Sequence, residues 1–315
     1  MARSTSSSAA VSGGRSFAGA PGRTTAASLI ISLRPGQWTK NLLVFAGVLF
    51  GQRLFDPAAD ARALAAFAIF CALSGAVYLV NDVADRDHDR LHPLKATRPI
   101  ASGELPVSTA LTVAAVLSAA ALAASFAISG TFTLVAASYL ALQAFYSGPL
   151  KQIVILDVLT LSAGFVLRAV AGAVAVNVEI SHWLLVCTLL LALFIALAKR
   201  RHEIVLLADE ASSHRRILGE YSAYLLDQMI GVVTASTLIA YIFYTVSPET
   251  QEKFGTPWLG LTIPFPLYGI FRYLYLVHRR EGGGSPADLL LTDRPLIVCV
   301  ALWALAVALI IYRPV

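Results

Sequence analysis

Residues 81–89 read NDVADRDHD and directly follow an apolar segment that is long enough to cross a membrane. If the helix continues, Asn81, Asp85 and Asp89 share one face, with Tyr78 one turn earlier. Carboxylates on one face repel each other unless a cation lies between them. Oxygen ligands without thiolates or a second histidine favour Mg²⁺, which binds one or two carboxylates together with substrate phosphates. The stretch therefore predicts a Mg²⁺–diphosphate site, and a solvated acidic helix end is the simpler alternative.

The composition indicates an integral membrane protein. Of the 315 residues, 57% are hydrophobic and only 14% are charged, and the mean hydropathy is +0.71. Soluble domains carry about 25% charged residues. Cys71, Cys187 and Cys299 all fall inside apolar runs, so neither a disulfide framework nor a zinc site is expected.

The chain divides into a tail and one membrane domain. Residues 1–25 are rich in Ser, Ala and Gly without any helical or strand period, which predicts a disordered tail. Residues 26–315 form the predicted transmembrane domain, which is all-α. Its apolar segments predict about nine spans, at residues 41–55, 61–80, 107–128, 131–147, 153–176, 182–198, 228–246, 258–277 and 294–312.

The loop charges give an orientation. The loops at 81–106, 199–227 and 278–294 are rich in Lys and Arg, whereas the alternate loops hold few. Nine spans place these basic loops and the N-terminus on one side, which the positive-inside rule makes cytoplasmic. We therefore expect a multi-pass protein of the inner (plasma) membrane, with its acidic cluster and active site on the cytoplasmic side.

Two basic segments flank the acidic cluster. Residues 34–41 read RPGQWTKN, where Lys40 is either a membrane-surface anchor or a phosphate ligand. Residues 92–99 read HPLKATRP, and the two prolines favour an extended loop. Lys95 and Arg98 in this loop could bind phosphate oxygens or serve only to orient the protein in the membrane.

Three further charges lie at or within the fifth apolar segment. Lys151 precedes it and is either a helix-end lysine or a phosphate ligand. Asp157 and Arg168 lie inside it, where charges are costly and face the protein interior or a cavity. Eleven residues correspond to about three helical turns, so the two share a face without pairing. Arg168 is the predicted anion ligand, and Asp157 is predicted to orient a basic neighbour.

The sixth segment ends in KRRHE at residues 199–203. Basic helix ends are common for topological reasons alone. Glu203 lies four residues after Lys199, on the same helix face, as a partner of that lysine or an outer group of a metal site. Arg200 lies between them at the same membrane depth as the acidic cluster.

The pattern NDxxDxxxD at residues 81–89 resembles the signature of the UbiA superfamily of intramembrane prenyltransferases. Within it, the chain is most similar to the branch of decaprenyl-phosphate phosphoribosyltransferases, over about residues 30–312. Aromatic prenyltransferases of the superfamily carry a second aspartate-rich motif after the sixth helix, where this chain has the basic KRRHE. A basic sequence there suits an extra phosphate. The segments that carry the branch resemblance are residues 34–41, 78–83, 92–101 and 168–172, together with Lys199-Arg200.

The resemblance implies about nine helices around a central cavity that opens to the cytoplasm. It implies Mg²⁺-dependent transfer of 5-phosphoribose from 5-phosphoribosyl diphosphate to a polyprenyl phosphate in the bilayer, as an arabinan precursor for the cell wall. No nucleic-acid partner is expected, and homo-oligomerisation stays open. Alternatives are prenyl transfer to an aromatic acceptor and a lipid-linked transporter. The implied site comprises metal ligands Asn81 and Asp85, catalytic Asp82, Asp85 and Asp89, and substrate-binding Lys40, Tyr78, Lys95, Arg98, Lys151, Arg168, Lys199, Arg200 and Glu203.

Overall fold

A computed structural model describes residues 23–91, 95–179, 181–207, 216–279 and 292–312. Within these ranges the chain is helical and has no strand, which confirms the all-α prediction. Residues 1–22 of the predicted tail lie outside the described residues, as do His92 and Pro93 of the basic loop.

The N-terminal half contains a short helix, an irregular 3₁₀ entry segment that leads into the bundle, and the first long helices. Asp56 caps the longest helix by accepting hydrogen bonds from the N–H groups of Ala58 and Ala59. The elements are α1 (Thr25–Leu33), a 3₁₀ segment (Pro35–Phe45), α2 (Ala46–Phe50), α3 (Pro57–Ala84), α4 (Arg86–Leu91), α5 (Pro99–Ser102), α6 (Val107–Phe126) and α7 (Gly130–Ser147).

The C-terminal half continues with long helices joined by short 3₁₀ turns. Its elements are a turn (Leu150–Gln152), α8 (Leu156–Val176), α9 (His182–Leu207), a turn (Arg216–Glu220), α10 (Ala223–Val246), α11 (Pro248–Phe254), a turn (Trp258–Thr262), α12 (Pro264–Arg279) and α13 (Arg294–Ile311).

Six helices in the described part of the chain are long and apolar enough to cross a membrane. They are α3, α6, α8, α9, α10 and α13. α7 and α12 also match predicted segments, with 18 and 16 residues. The first predicted segment, residues 41–55, is not a regular helix, so the prediction of nine helical spans needs correction.

Close backbone packing explains this irregular first segment. A Cβ atom on Gly172 would lie 1.9 Å from the Val44 carbonyl oxygen, and one on Gly47 would lie 2.6 Å from the Ala173 nitrogen. The entry segment therefore lies directly on the backbone of α8, which only glycines permit. Non-helical backbone at membrane depth is tolerated where protein covers it.

α8 is the central helix of the fold. It packs against α3, α7, α9, α2 and the 3₁₀ segment. Buried aromatic side chains of α3 and α7, including Phe70, Phe132 and Tyr139, form a core cluster beside it. This packing brings the C-terminal ends of α3, α7 and α9 together with the N-terminal end of α8.

Candidate functional site

The acidic stretch lies where α3 ends. Asn81 and Asp82 belong to the last turn of α3, and Asp85 lies at its C-cap with φ −91° and ψ 3°. The chain then continues into α4, because the Asp89 N–H donates to the Asp85 carbonyl at 2.8 Å. The helix is therefore interrupted at Asp85, and the helix face predicted to carry Asn81, Asp85 and Asp89 is not continuous. The i, i+4 backbone hydrogen bond from Asp89 to Asp85 is nevertheless present.

Two arginines hold the buried carboxylates of this stretch. Arg98 Nη1 lies 2.6 Å from Asp89 Oδ2 and 3.2 Å from Asp82 Oδ1. Arg34 Nη2 pairs with the same Asp82 oxygen, and its guanidinium lies 5.0 Å from the centre of the Tyr78 ring. Asp82 and Asp89 therefore anchor two guanidinium groups, which contain further N–H donors for an anion.

The other two members of the motif contact the end of α7 and the turn that follows. Lys151 Nζ lies 2.9 Å from Asp85 Oδ1. The Ser147 hydroxyl contacts Asn81 Oδ1. Asp85 is the accessible carboxylate of the four-residue motif, because its side chain is 44% exposed whereas those of Asp82 and Asp89 are 5% exposed.

Lys95 and Lys40 lie on opposite sides of this cluster in the sequence. Burial lowers the pKa of Lys95, and the charge of Arg98 lowers it further, while Asp89, Glu203 and Asp85 oppose the change. Lys95 therefore lies among charges of both α3 and α9. Lys40 is half-buried in the 3₁₀ segment.

Arg168 lies in a separate buried network and is only 4% exposed. Its Nε donates to Asn41 Oδ1, and its two terminal nitrogens donate to the Gly164 carbonyl and the Tyr139 hydroxyl, all at 2.8–2.9 Å. These partners are neutral. Arg168 and Asp157 do not pair, as their spacing predicted, and direct phosphate binding by Arg168 stays a prediction.

Arg200 is held by two carboxylates and is only 2% exposed. Its Nε lies 2.8 Å from Asp157 Oδ2, and its Nη1 lies 2.6 Å from Glu203 Oε2. Asp157 thus orients a basic neighbour, and Arg200 presents no open face to a ligand in this conformation. Lys199 differs, because its side chain is 51% exposed and lies 4.0 Å from Glu203.

The oxygen donors at this end of α3 suit a Mg²⁺ ion that also binds substrate phosphates better than a metal ion coordinated by protein side chains alone. Within the described ranges, no three His, Cys, Asp or Glu side chains are grouped so that they could hold a metal ion. Asn81 and Asp85 remain as an amide and a carboxylate oxygen donor one helical turn apart. Mg²⁺ commonly binds through one or two carboxylates and completes its shell with water and substrate phosphates.

Residues 41–289 match the sequence model of the UbiA prenyltransferase family. The chain belongs to the UbiA prenyltransferase family. This confirms the family predicted from NDxxDxxxD, and α3 carries that motif.

Curated relatives of this UbiA protein include decaprenyl-phosphate phosphoribosyltransferases of two bacteria. A decaprenyl-phosphate phosphoribosyltransferase of Corynebacterium glutamicum is 33% identical over 297 residues, covering 93% of this chain and 89% of the relative. The enzyme of that name from Mycolicibacterium smegmatis is 32% identical over 305 residues, covering 93% and 95%. The predicted similarity to this branch is therefore confirmed.

Solved UbiA structures share the fold. A UbiA homologue from Archaeoglobus fulgidus bound to DMAPP and Mg²⁺ superimposes with a TM-score of 0.71 at 21% identity, covering 91% of this chain and all of the homologue. Its complex with GPP and Mg²⁺ gives the same TM-score at 20% identity. The helical architecture is therefore that of the UbiA family.

Arg34 and Ser147 are two site residues that the sequence did not predict. Arg34 pairs with Asp82, and Ser147 contacts Asn81. Arg34 lies in the basic segment RPGQWTKN, and Ser147 lies four residues before Lys151, but neither was assigned a role. The positive backbone φ of 53° at Arg34 turns the chain out of α1 and directs it over α3.

Proposed function

We propose that this UbiA-family enzyme transfers 5-phosphoribose from 5-phosphoribosyl diphosphate to a polyprenyl phosphate of the decaprenyl type, releasing diphosphate. The proposal rests on the set of cations around Asn81 and Asp85. It also rests on the alignment of 93% of the chain with phosphoribosyltransferases. The set consists of Arg34, Arg98 and Lys151.

The charges of the substrates support this assignment. The donor carries a diphosphate and a 5-phosphate, and the acceptor carries another phosphate, so both substrates are anionic. Arg34 and Arg98 are anchored by carboxylates and could give their other N–H groups to phosphate oxygens. Lys40, Lys95, Lys151 and Lys199 supply further cations at the same end of the bundle.

Asn81 and Asp85 would hold Mg²⁺ on the diphosphate, where the metal neutralises charge on the leaving group. When diphosphate enters, Lys151 would release Asp85 and donate to the anion, which leaves the Asp85 oxygen for the cation. Asp82 and Asp89 would keep the two arginines in place. Their catalytic contribution is therefore to orient donors toward the developing negative charge.

The reaction needs no covalent enzyme intermediate. An oxygen of the lipid phosphate forms a bond to C1 of the ribose, while the bond from C1 to the diphosphate oxygen breaks. The electron pair of that bond leaves with diphosphate. A phosphate dianion attacks without loss of a proton, so this step requires no general base.

Because the acceptor is a polyprenyl phosphate, the proposed reaction takes place at a membrane. The polyprenyl chain would lie among apolar helices with its phosphate at the end of α3. The basic loops support a cytoplasmic position for this end in the plasma membrane. The product would be a lipid-linked pentose phosphate, consistent with a role in supplying arabinan for the cell wall.

The decisive test is incubation of the purified protein with 5-phosphoribosyl diphosphate, decaprenyl phosphate and Mg²⁺, followed by mass analysis of the lipid. We expect a phosphoribosylated lipid and stoichiometric diphosphate, and none of either after chelation of the metal.

A second arm supplies a polyprenyl diphosphate and an aromatic acceptor, because the structural relatives bind DMAPP and GPP. A prenylated aromatic product without any phosphoribosyl lipid would replace our proposal by prenyl transfer. Heat-inactivated protein is the control for both arms.

A further inference from the structure

The chain enters α8 through an unusual backbone conformation. Ile155 has φ 69° and ψ −44°, a region that β-branched residues rarely adopt. Its side chain is 47% exposed, so packing of the isoleucine does not impose this geometry. Contacts of the backbone must therefore hold it.

A buried hydrogen-bond chain provides these contacts. The Ile155 N–H donates to the Tyr221 hydroxyl at 2.7 Å, and that hydroxyl donates to Asp157 Oδ1 at 2.8 Å. The other oxygen of Asp157 accepts from Arg200. Asp157 is fully buried and Tyr221 is 5% exposed, so the two bonds to Asp157 lie away from water, where a lost partner is costly, and the bond from Ile155 is partly buried.

Ile155 controls the direction of the segment that carries Lys151. The turn Leu150–Gln152 is only three residues before Ile155, and Lys151 Nζ reaches Asp85 from it. α8 itself is fixed by its packing in the core. A change of φ at Ile155 would therefore swing the turn, and the Lys151 ammonium group, relative to the end of α3.

We propose that Tyr221 is a positioning residue for the donor site. It holds Ile155 in its positive-φ conformation and thereby places Lys151 against Asp85 and the diphosphate that binds there. The inference rests on the proposed function only in taking Mg²⁺–diphosphate as the ligand of this end of the bundle. Diphosphate is the leaving group in both transfer reactions considered above.

The probe is inorganic diphosphate with Mg²⁺, titrated calorimetrically into the full-length protein in detergent. Tyr221→Phe should weaken binding by roughly tenfold per folded molecule, the scale of one lost buried hydrogen bond. Tyr241→Phe is the matched control, because its buried hydroxyl bonds Thr262 and Trp303 about 27 Å from the start of α10. The control should bind as the wild type does.

Rescue separates positioning from general destabilisation. Glycine adopts positive φ freely, so Ile155→Gly added to Tyr221→Phe should restore affinity to within about threefold of wild type. Ile155→Ala retains a Cβ and should not restore it. Equal losses in the two tyrosine variants, or failure of glycine to rescue, would overturn the proposal.

Ile155→Pro tests the same claim with Tyr221 untouched, and it remains informative if Tyr221→Phe does not fold. Proline fixes φ near −65° and removes the N–H, so affinity should fall as it does in Tyr221→Phe. Wild-type affinity in Ile155→Pro would refute the inference. If the rescue pattern holds while no phosphoribosyl lipid forms, the proposed function fails and the positioning role stands. If wild-type protein binds no Mg²⁺–diphosphate, the positioning role fails.

Discussion

Arg168→Lys tests whether Arg168 serves the fold or the substrate. The substitution keeps the positive charge but replaces three fixed hydrogen bonds by a single ammonium group on a flexible stem. Arg168 now donates to Asn41 Oδ1, the Gly164 carbonyl and the Tyr139 hydroxyl. The lysine ammonium has three N–H donors but lacks the guanidinium fork, and from the same helix it is placed to bond the Gly164 carbonyl, so Asn41 and Tyr139 lose their partner.

The expected loss of stability follows from the burial of these partners. Asn41 and Tyr139 are each 1% exposed, so water does not replace the missing donor. Each unsatisfied buried group costs about 1–3 kcal/mol, which gives about 2–6 kcal/mol for two. Because every Arg168 nitrogen is already engaged inside the protein, donor affinity per folded molecule should hardly change.

The assay measures thermal unfolding in detergent and binding of 5-phosphoribosyl diphosphate on the same preparations. Arg272→Lys is the matched control, because Arg272 pairs with Asp293 through two bonds at a more exposed position. We expect it to lose about 1 kcal/mol or less. An unchanged melting temperature for Arg168→Lys together with weaker donor binding would refute this reasoning and make Arg168 a phosphate ligand.

Three further predictions concern the charges at the end of α3 and α9. Asp85→Asn should abolish Mg²⁺-dependent turnover because the metal loses its charged ligand, whereas Asp87→Asn, at a side chain 87% exposed, should retain it in the same assay. The pKa of Lys95 lies below its ordinary value of 10.5, so its positive charge should be lost as the pH rises toward that value, and the affinity of the protein for the donor should fall with it. Lys95→Arg should shift this fall to higher pH in binding titrations. An unshifted curve would contradict the role of Lys95. Lys199→Ala should weaken donor binding without changing the melting temperature. Arg200→Ala should lower the melting temperature, because it removes the cation that neutralises the fully buried Asp157. The opposite pattern would reverse these roles.

The sequence predicted the long helices well because a bilayer demands about 20 consecutive apolar residues, a signal that each segment carries locally. It failed at residues 41–55 because the local composition there is equally apolar. What makes the segment irregular is its close packing on α8 through its own Gly47 and through Gly172, which lies more than 120 residues away in the sequence. Backbone packing of this kind leaves no hydrophobic period in the sequence.

The site divides in the same way. Asn81, Asp82, Asp85 and Asp89 were recognisable because they lie within a few turns on one helix end. The pairing of Arg34 with Asp82 could not be read from the sequence, because 48 residues separate them and several other basic residues lie as close to the motif. The sequence shows which charged residues need a partner of opposite charge, but the packing of the helices decides which residue that partner is.

The basic run KRRHE at residues 199–203 lies in the last turns of α9, and packing decides which of its charges can reach a substrate. KRRHE contributes three cations by composition, which suggested a ready-made site for an additional phosphate. Arg200 forms salt bridges with Asp157 and Glu203. Arg201 forms two hydrogen bonds with the carboxylate of Asp227 on α10. Lys199 is then the cation of this run that is both exposed and only loosely paired, and Lys95 lies near the same Glu203. We therefore expect this run to favour a donor with a second phosphate through Lys199, with Lys95 beside it, rather than through the total positive charge of the motif.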